Sequence, residues 1–203
     1  MLENKLGIKN SYDLAREEER ITKLKAMELF DTKKDYEFEV GTFEGLSKIH
    51  EFLFHDIYSF AGKIRKENIA KGNFRFASSM YLEDVLNKID NMPEKTFEEI
   101  VKKYVEMNIA HPFREGNGRS TRIWLDMILK KQLKKVIDWS KINKEDYLLA
   151  MERSPIKDVE IMLLLKNALT SKINDRQVFM KGIDASYQYE GYSTYTMEEL
   201  DKE

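Results

Sequence analysis

Apolar positions recur at helical spacing through most of the chain. In residues 11–30, Leu14, Ile21, Leu24 and Met27 follow that rhythm with charges between them, which predicts an amphipathic helix. Its acids come early and its lysines late, as the helix dipole favours. From Thr42 a second stripe of Phe43, Leu46, Ile49, Leu53, Ile57 and Phe60 predicts a helix that closes by Gly62. Residues 80–91 predict a third, stopping before Pro93. Thr96 and Glu99 have the spacing of a capping box. They open a helix whose Phe97, Ile100, Val101, Tyr104, Val105 and Ile109 face one way. Pro112 pushes His111 out of the α region and ends that helix. The next starts about Gly118 and runs to the lysines near 135, burying Ile123, Met127, Ile128 and Leu133. Asn143 caps another, and Ser154-Pro155 reads as a cap followed by proline at the first helical position. A last helix runs from about Asp175 to Glu190-Gly191, with glycine as terminator. Residues 192–203 read as a flexible tail.

One stretch breaks the helical rhythm. Residues 62–77 show short alternation around Gly72-Asn73, the pattern of a tight hairpin turn. Phe74 and Phe76 fall on one face and Arg75 on the other. Such a hairpin is either a covering flap or a docking edge to which an extended segment of another protein adds as a strand. Pattern alone favours the cover.

Composition narrows the class. With 203 residues, 42% hydrophobic and 34% charged, the chain can bury a core in one large domain or two small ones. A net charge of −2 argues against nucleic acid. The absence of cysteine excludes disulfides and thiolate metal sites. There is no apolar run of membrane length and no apolar signal-peptide core near the start, so a soluble cytoplasmic protein is expected. Three prolines and nine glycines favour long helices over a many-turned β architecture. His50 and His55, five apart, do not share a helix face, which argues against a metal pair and for structural or surface roles.

The candidate chemistry concentrates in His111-Pro-Phe-Arg-Glu-Gly-Asn-Gly-Arg-Ser-Thr-Arg122. Gly116, Asn117 and Gly118 stand at a helix start, where unpaired N–H groups and glycine's freedom make an anion site. Arg119 and Arg122, three apart in the first turn, share a face and suit a polyphosphate. Glu115, a carboxylate beside such phosphates, suits a divalent cation, most often Mg²⁺. His111 can accept a proton, and Asn108 lies one turn before it. Base, metal and phosphate clamp together suit transfer of a phosphorus-centred group to a hydroxyl.

This register resembles the signature of the Fic family, His-x-Phe-x-(Asp/Glu)-Gly-Asn-Gly-Arg-x-x-Arg, at each fixed position. The resemblance extends to the hairpin and the C-terminus. It implies an all-helical Fic core in residues 1–191, with a β-hairpin flap at about 66–78 and a C-terminal helix at about 175–191. It also implies AMPylation, the transfer of AMP from ATP with Mg²⁺ to a Ser, Thr or Tyr hydroxyl of a target protein or of the chain itself. His111 would be the base and Glu115 would hold Mg²⁺. Asn108, Gly116, Asn117, Gly118, Arg119, Ser120, Thr121, Arg122 and Lys71 would surround ATP. Gly72, Asn73, Phe74, Arg75 and Phe76 would dock the target, which raises the docking reading above the cover.

Ser186-Tyr-Gln-Tyr-Glu190-Gly191 resembles the family's inhibitory motif, (Ser/Thr)-x-x-x-Glu-(Gly/Asn), in its self-contained class. The implied mechanism is an ion pair between Glu190 and Arg122 that denies the arginine to the γ-phosphate. A second reading makes Glu190 the base for water in removal of AMP. Two rivals remain at this stage. One is transfer of UMP, phosphocholine or phosphate on the same site. The other is a nucleotide-sensing interaction module without turnover, against which an intact His111 argues. Self-association could control the C-terminal helix, and the sequence assigns it no interface.

Overall fold

The computed structural model describes residues 2–72 and 74–202. Nine α-helices are found among them: α1 Ser11–Asp31, α2 Phe43–Phe54, α3 Leu82–Asp90, α4 Phe97–Ala110, α5 Asn117–Leu133, α6 Lys144–Arg153, α7 Val159–Asn167, α8 Arg176–Tyr189 and α9 Met197–Leu200. Two antiparallel strand pairs accompany them: β1 Ala70–Lys71 with β2 Phe74–Arg75, and β3 Val136–Ile137 with β4 Leu169–Thr170. The fold is all-α with a small hairpin. No described helix is long and apolar enough to cross a membrane.

Helix ends follow their caps. Thr42 accepts from the Gly45 N–H at the start of α2, and Thr96 and Glu99 complete the capping box of α4. Asn143 and Asp175 cap α6 and α8. α5 is the central element. It packs against α4, α2 and α8, and its Trp124 is fully buried with Nε1 donating to the Thr42 carbonyl at 3.0 Å. α1 lies across α2 and α8, so it meets both the core and the C-terminal helix.

Three expectations are corrected. α2 ends at Phe54 rather than near Gly62; the stripe continues because Ile57 and Tyr58 stay buried in the turns that follow. Ser154 does not open a helix. Its N–H and Oγ both bond the Met151 carbonyl, closing α6, and α7 begins only after Asp158. Ser and Thr serve carbonyls as well as N–H groups, so the pattern was ambiguous. Nor is the tail loose through residue 202. Thr196 caps α9 with a second capping box, and Met197 and Leu200 are buried. Glu19 accepts from the Thr194 and Tyr195 N–H groups, and Lys23 donates to the Tyr195 carbonyl. The apolar pair Met197 and Leu200 needs a partner, and α1 and α8 supply one.

Candidate active site

His111 terminates α4 in the left-handed region, with φ 49° and ψ 62°. That conformation turns the chain sharply and presents the ring rather than continuing the helix. The hairpin lies on the ring: Phe76 stacks on His111 at 3.7 Å between centroids, and Phe74 meets Phe76 edge-on at 5.1 Å. The Asn108 backbone beside the ring favours its protonated form. Burial lowers the His111 pKa to about 4, against the nearby Glu190 carboxylate, which raises it. The imidazole is therefore neutral at neutral pH and able to accept a proton.

The hairpin joins Ala70 to Arg75 and Lys71 to Phe74 in register, with Gly72 at φ +58° in its two-residue turn. Asn73 lies outside the described residues. Arg75 is exposed on the face opposite the two phenylalanines. Lys71 is exposed, yet its charge acts on both His111 and Glu190.

Gly116 starts α5 at φ +75°, and a Cβ there would lie 2.4 Å from the Phe54 ring. Glycine is required on both counts. The first N–H groups of α5 then lack intrahelical partners. Not every residue of the stretch faces this opening. The Asn117 side chain is turned inward, accepting from the Phe113 N–H at 2.8 Å and donating to the Phe113 carbonyl at 2.7 Å. Ser120 and Thr121 are buried, and their hydroxyls donate back to the Gly116 and Asn117 carbonyls. Asn108 donates its amide to the Tyr104 carbonyl. These four side chains hold the loop and helix in shape.

The opening is filled by a side chain from α8. Glu190 Oε1 accepts from Arg122 Nη2 at 2.5 Å, and Oε2 accepts from Arg119 Nε at 2.9 Å. A Cβ on Gly118 would lie 2.1 Å from Glu190 Oε1, so Gly118 is what lets the carboxylate approach the helix terminus. Burial would raise the Glu190 pKa, but Arg122 and Arg119 outweigh it and hold it below the usual range. Arg122 also donates to Ser186 Oγ at 2.6 Å and to the Ser186 carbonyl at 2.9 Å. Ser186 and Glu190, one turn apart, thus grip one guanidinium.

The two arginines differ. Arg119 is almost fully buried and held by two further acids. Glu18 of α1 accepts at 2.6 Å, and Glu115 accepts at 3.1 Å. Phe54, Tyr187 and Tyr192 surround its guanidinium at 4.5–5.3 Å. Arg122 has Glu190 as its carboxylate partner, with Tyr147 and Tyr189 beside it.

Glu115 is partly exposed and uses Oε1 for Arg119 and for the Gly116 N–H. Among the described residues no hydrogen bond reaches its Oε2. No group of three or more possible metal ligands is found among them either. A cation held by one carboxylate oxygen, phosphates and water, as Mg²⁺ commonly is, fits this donor set.

Sequence reasoning gave three further residues no place at this site. Glu18 sits on what reads as the solvated face of α1, yet it is buried and takes Arg119, Tyr58 and Tyr192 as donors. His50 is fully buried, bridging the Gly62 N–H at 2.9 Å and the Glu115 carbonyl at 2.8 Å while stacking on Phe113. Arg65 is buried beneath the flap. No local pattern distinguishes the two charged side chains from solvated ones. His50 does fall on the apolar face of its helix, beside Leu46, Ile49 and Leu53, and that was the available signal.

Residues 41–129 match the sequence profile of the Fic/DOC family. It is 30% identical over 196 residues to protein adenylyltransferase VbhT of Bartonella schoenbuchensis, an alignment covering 89% of this chain and 40% of that protein. It is 29% identical to the probable protein adenylyltransferase Fic of Salmonella typhimurium, over 63% of this chain and 67% of the relative. The chain thus spans well under half the length of the first relative. Among solved structures, BepC of Bartonella tribocorum, with bound AMPPNP, superposes with a TM-score of 0.67 at 20% identity, covering 84% of this chain and 92% of that one. That likeness concerns the fold.

Proposed function

We propose that the chain is an ATP-dependent, Mg²⁺-assisted protein adenylyltransferase held inactive by its own α8. One observation carries this reading. The anion site at the α5 terminus, across from a neutral histidine, already holds a carboxylate where a nucleotide phosphate would sit. The Fic signature, the relatives named adenylyltransferases and the AMPPNP-bound structure of similar fold support it.

In the transfer, the acceptor is a Ser, Thr or Tyr hydroxyl of a target protein or of the chain itself, met in the cytoplasm. Its oxygen bonds to the α-phosphorus while the bond from that phosphorus to the bridging oxygen breaks. Pyrophosphate leaves with the electron pair, and His111 takes the hydroxyl proton. Arg122 and the first N–H groups of α5 neutralise the phosphates. The phosphates bring negative charge to the place of Glu190, which raises the His111 pKa toward the range where a base works. Mg²⁺, held by Glu115 and the phosphates, would supply further charge neutralisation. The flap, with Phe76 on the His111 ring, offers its edge to the target segment.

Glu190 serves inhibition in this reading. Each of its oxygens accepts from a guanidinium, and the two cations hold its pKa down, which weakens it as a base for water in removal of AMP. Intact-mass measurement of Glu190→Gly with Mg²⁺-ATP tests the proposal. A +AMP adduct on the chain or a lysate protein is expected, absent from wild type and from Glu190→Gly/His111→Ala. A +phosphate adduct, or tight ATP binding without adduct, would replace this reading with a kinase or a sensor.

A further inference from the structure

We infer that Arg65 is a positioning residue that locks the flap and the His111 backbone into one unit. Its kinetic consequence rests on the transfer proposed above.

Arg65 is 4% exposed, and no carboxylate lies within ion-pair distance of it among the described residues. Its four side-chain hydrogen bonds among the described residues all go to backbone carbonyls. Nε donates to His111 at 2.7 Å and Nη2 to Ala110 at 3.1 Å. Nη2 also donates to Ala77 at 2.6 Å, and Nη1 to Glu67 at 2.6 Å. Ala110 and His111 are the C-terminal end of α4, where orphan carbonyls and the negative end of the dipole favour a cation. Glu67 precedes β1 and Ala77 follows β2, so they are the two legs of the hairpin. One guanidinium therefore fastens both legs to the residue that carries the imidazole. Two backbone bonds close the junction: Arg65 N–H to the Pro112 carbonyl at 2.8 Å, and Ala77 N–H to the Ile109 carbonyl at 3.0 Å.

The arrangement has a chemical reason. His111 occupies the left-handed region directly before a proline, a conformation with little intrinsic support. A cation on its carbonyl holds that turn, and the same cation holds the flap that stacks on its ring. Arginine's planar fork reaches several acceptors at fixed angles, which an ammonium cannot. The anion loop is held separately, by Asn117 on Phe113 and by His50 on Glu115. Loss of Arg65 should therefore disturb the base and the flap and spare nucleotide binding.

The test uses the full chain in the Glu190→Gly background, with Arg65→Met and Arg65→Lys. Transfer rate is read by intact mass and Mg²⁺-ATP affinity by calorimetry. NMR reports the His111 titration and the exchange of the Ala77 amide. Folding is checked by circular dichroism. Arg65→Met should lower the transfer rate roughly 10–100-fold, leave ATP affinity unchanged, speed Ala77 exchange and raise the His111 midpoint. Arg65→Lys should keep the midpoint low, because the charge remains, yet still lose rate and Ala77 protection. If the methionine variant does not fold, the lysine variant decides alone. A lysine variant equal to the parent in rate and exchange overturns the inference. So does ATP affinity that falls in step with the rate, which would mean general collapse of the loop. If Glu190→Gly itself transfers nothing, the reaction reading fails, while the titration and exchange still judge Arg65.

Discussion

Glu190 and Arg122 are 68 residues apart in sequence and 2.5 Å apart at Oε1 and Nη2. Because both are largely shielded from water, removing one partner costs more than it does at a surface bridge. Glu190→Gln should lower stability by roughly 2–3 kcal/mol in urea unfolding, since the amide cannot serve two guanidiniums as a carboxylate does. A variant as stable as wild type would mean the pair contributes little beyond geometry.

Arg119 and Arg122 should separate experimentally. Arg119→Ala strands Glu18, a buried carboxylate, and should cost roughly 3–5 kcal/mol. Arg122→Ala leaves Glu190 paired with Arg119, so about 1–2 kcal/mol is expected, with the larger loss in ATP affinity. Glu18→Gln combined with Arg119→Ala should recover part of the stability. Equal losses for the two single variants would contradict the asymmetry.

Gly118→Ala places a methyl group against Glu190 Oε1 without straining the helix. The carboxylate must move, so α8 should loosen near its C-terminal end. Hydrogen exchange at Ser186–Tyr189 should accelerate while the α4 core stays protected. Unchanged protection would show that the contact relaxes locally.

Acid should destabilise the protein through His50. Burial pushes its pKa down to about 3, and its Nδ1 already accepts from Gly62. The unfolded state, with a pKa near ~6.5, binds the proton first as pH falls. The contribution is therefore complete above ~6.5 and is lost on descending toward about 3, at up to ~1.4 kcal/mol per pH unit. His111, lowered to about 4, acts in the same sense. His50→Gln should flatten the slope of unfolding free energy between pH ~6 and ~4; an unaltered slope would rule His50 out.

Deleting residues 192–203 should also matter. Met197 and Leu200 are buried, and Tyr192 donates to Glu18 at 2.9 Å beside Arg119. The truncated chain should lose several kcal/mol, roughly 2–5 per buried apolar side chain at the upper bound, and bind ATP more tightly. A truncation with wild-type melting and wild-type ATP affinity would make the segment a passenger.

Local chemistry determined much of this protein by itself. The 3.6-residue rhythm, the Thr-x-x-Glu box and Asp175 mark where helices begin. Gly72-Asn73 marks the hairpin, and the twelve residues from His111 to Arg122 announce an anion site with a base beside it. Each of these depends on neighbours within a turn or two, so sequence carries it. Tertiary structure decided which side chains face that site. Asn117, Ser120 and Thr121 turn inward because backbone groups nearby need partners. Glu18 and Arg65, ordinary surface charges by pattern, are buried because α1 and the flap bring them to an arginine and to a bare helix end. The tail is ordered because α1 and α8 together cover an apolar pair too short to fold alone. The partner of Arg122 is named by a motif, but its double grip with Arg119 required the packing of α8 on α5, a relation that no local spacing encodes.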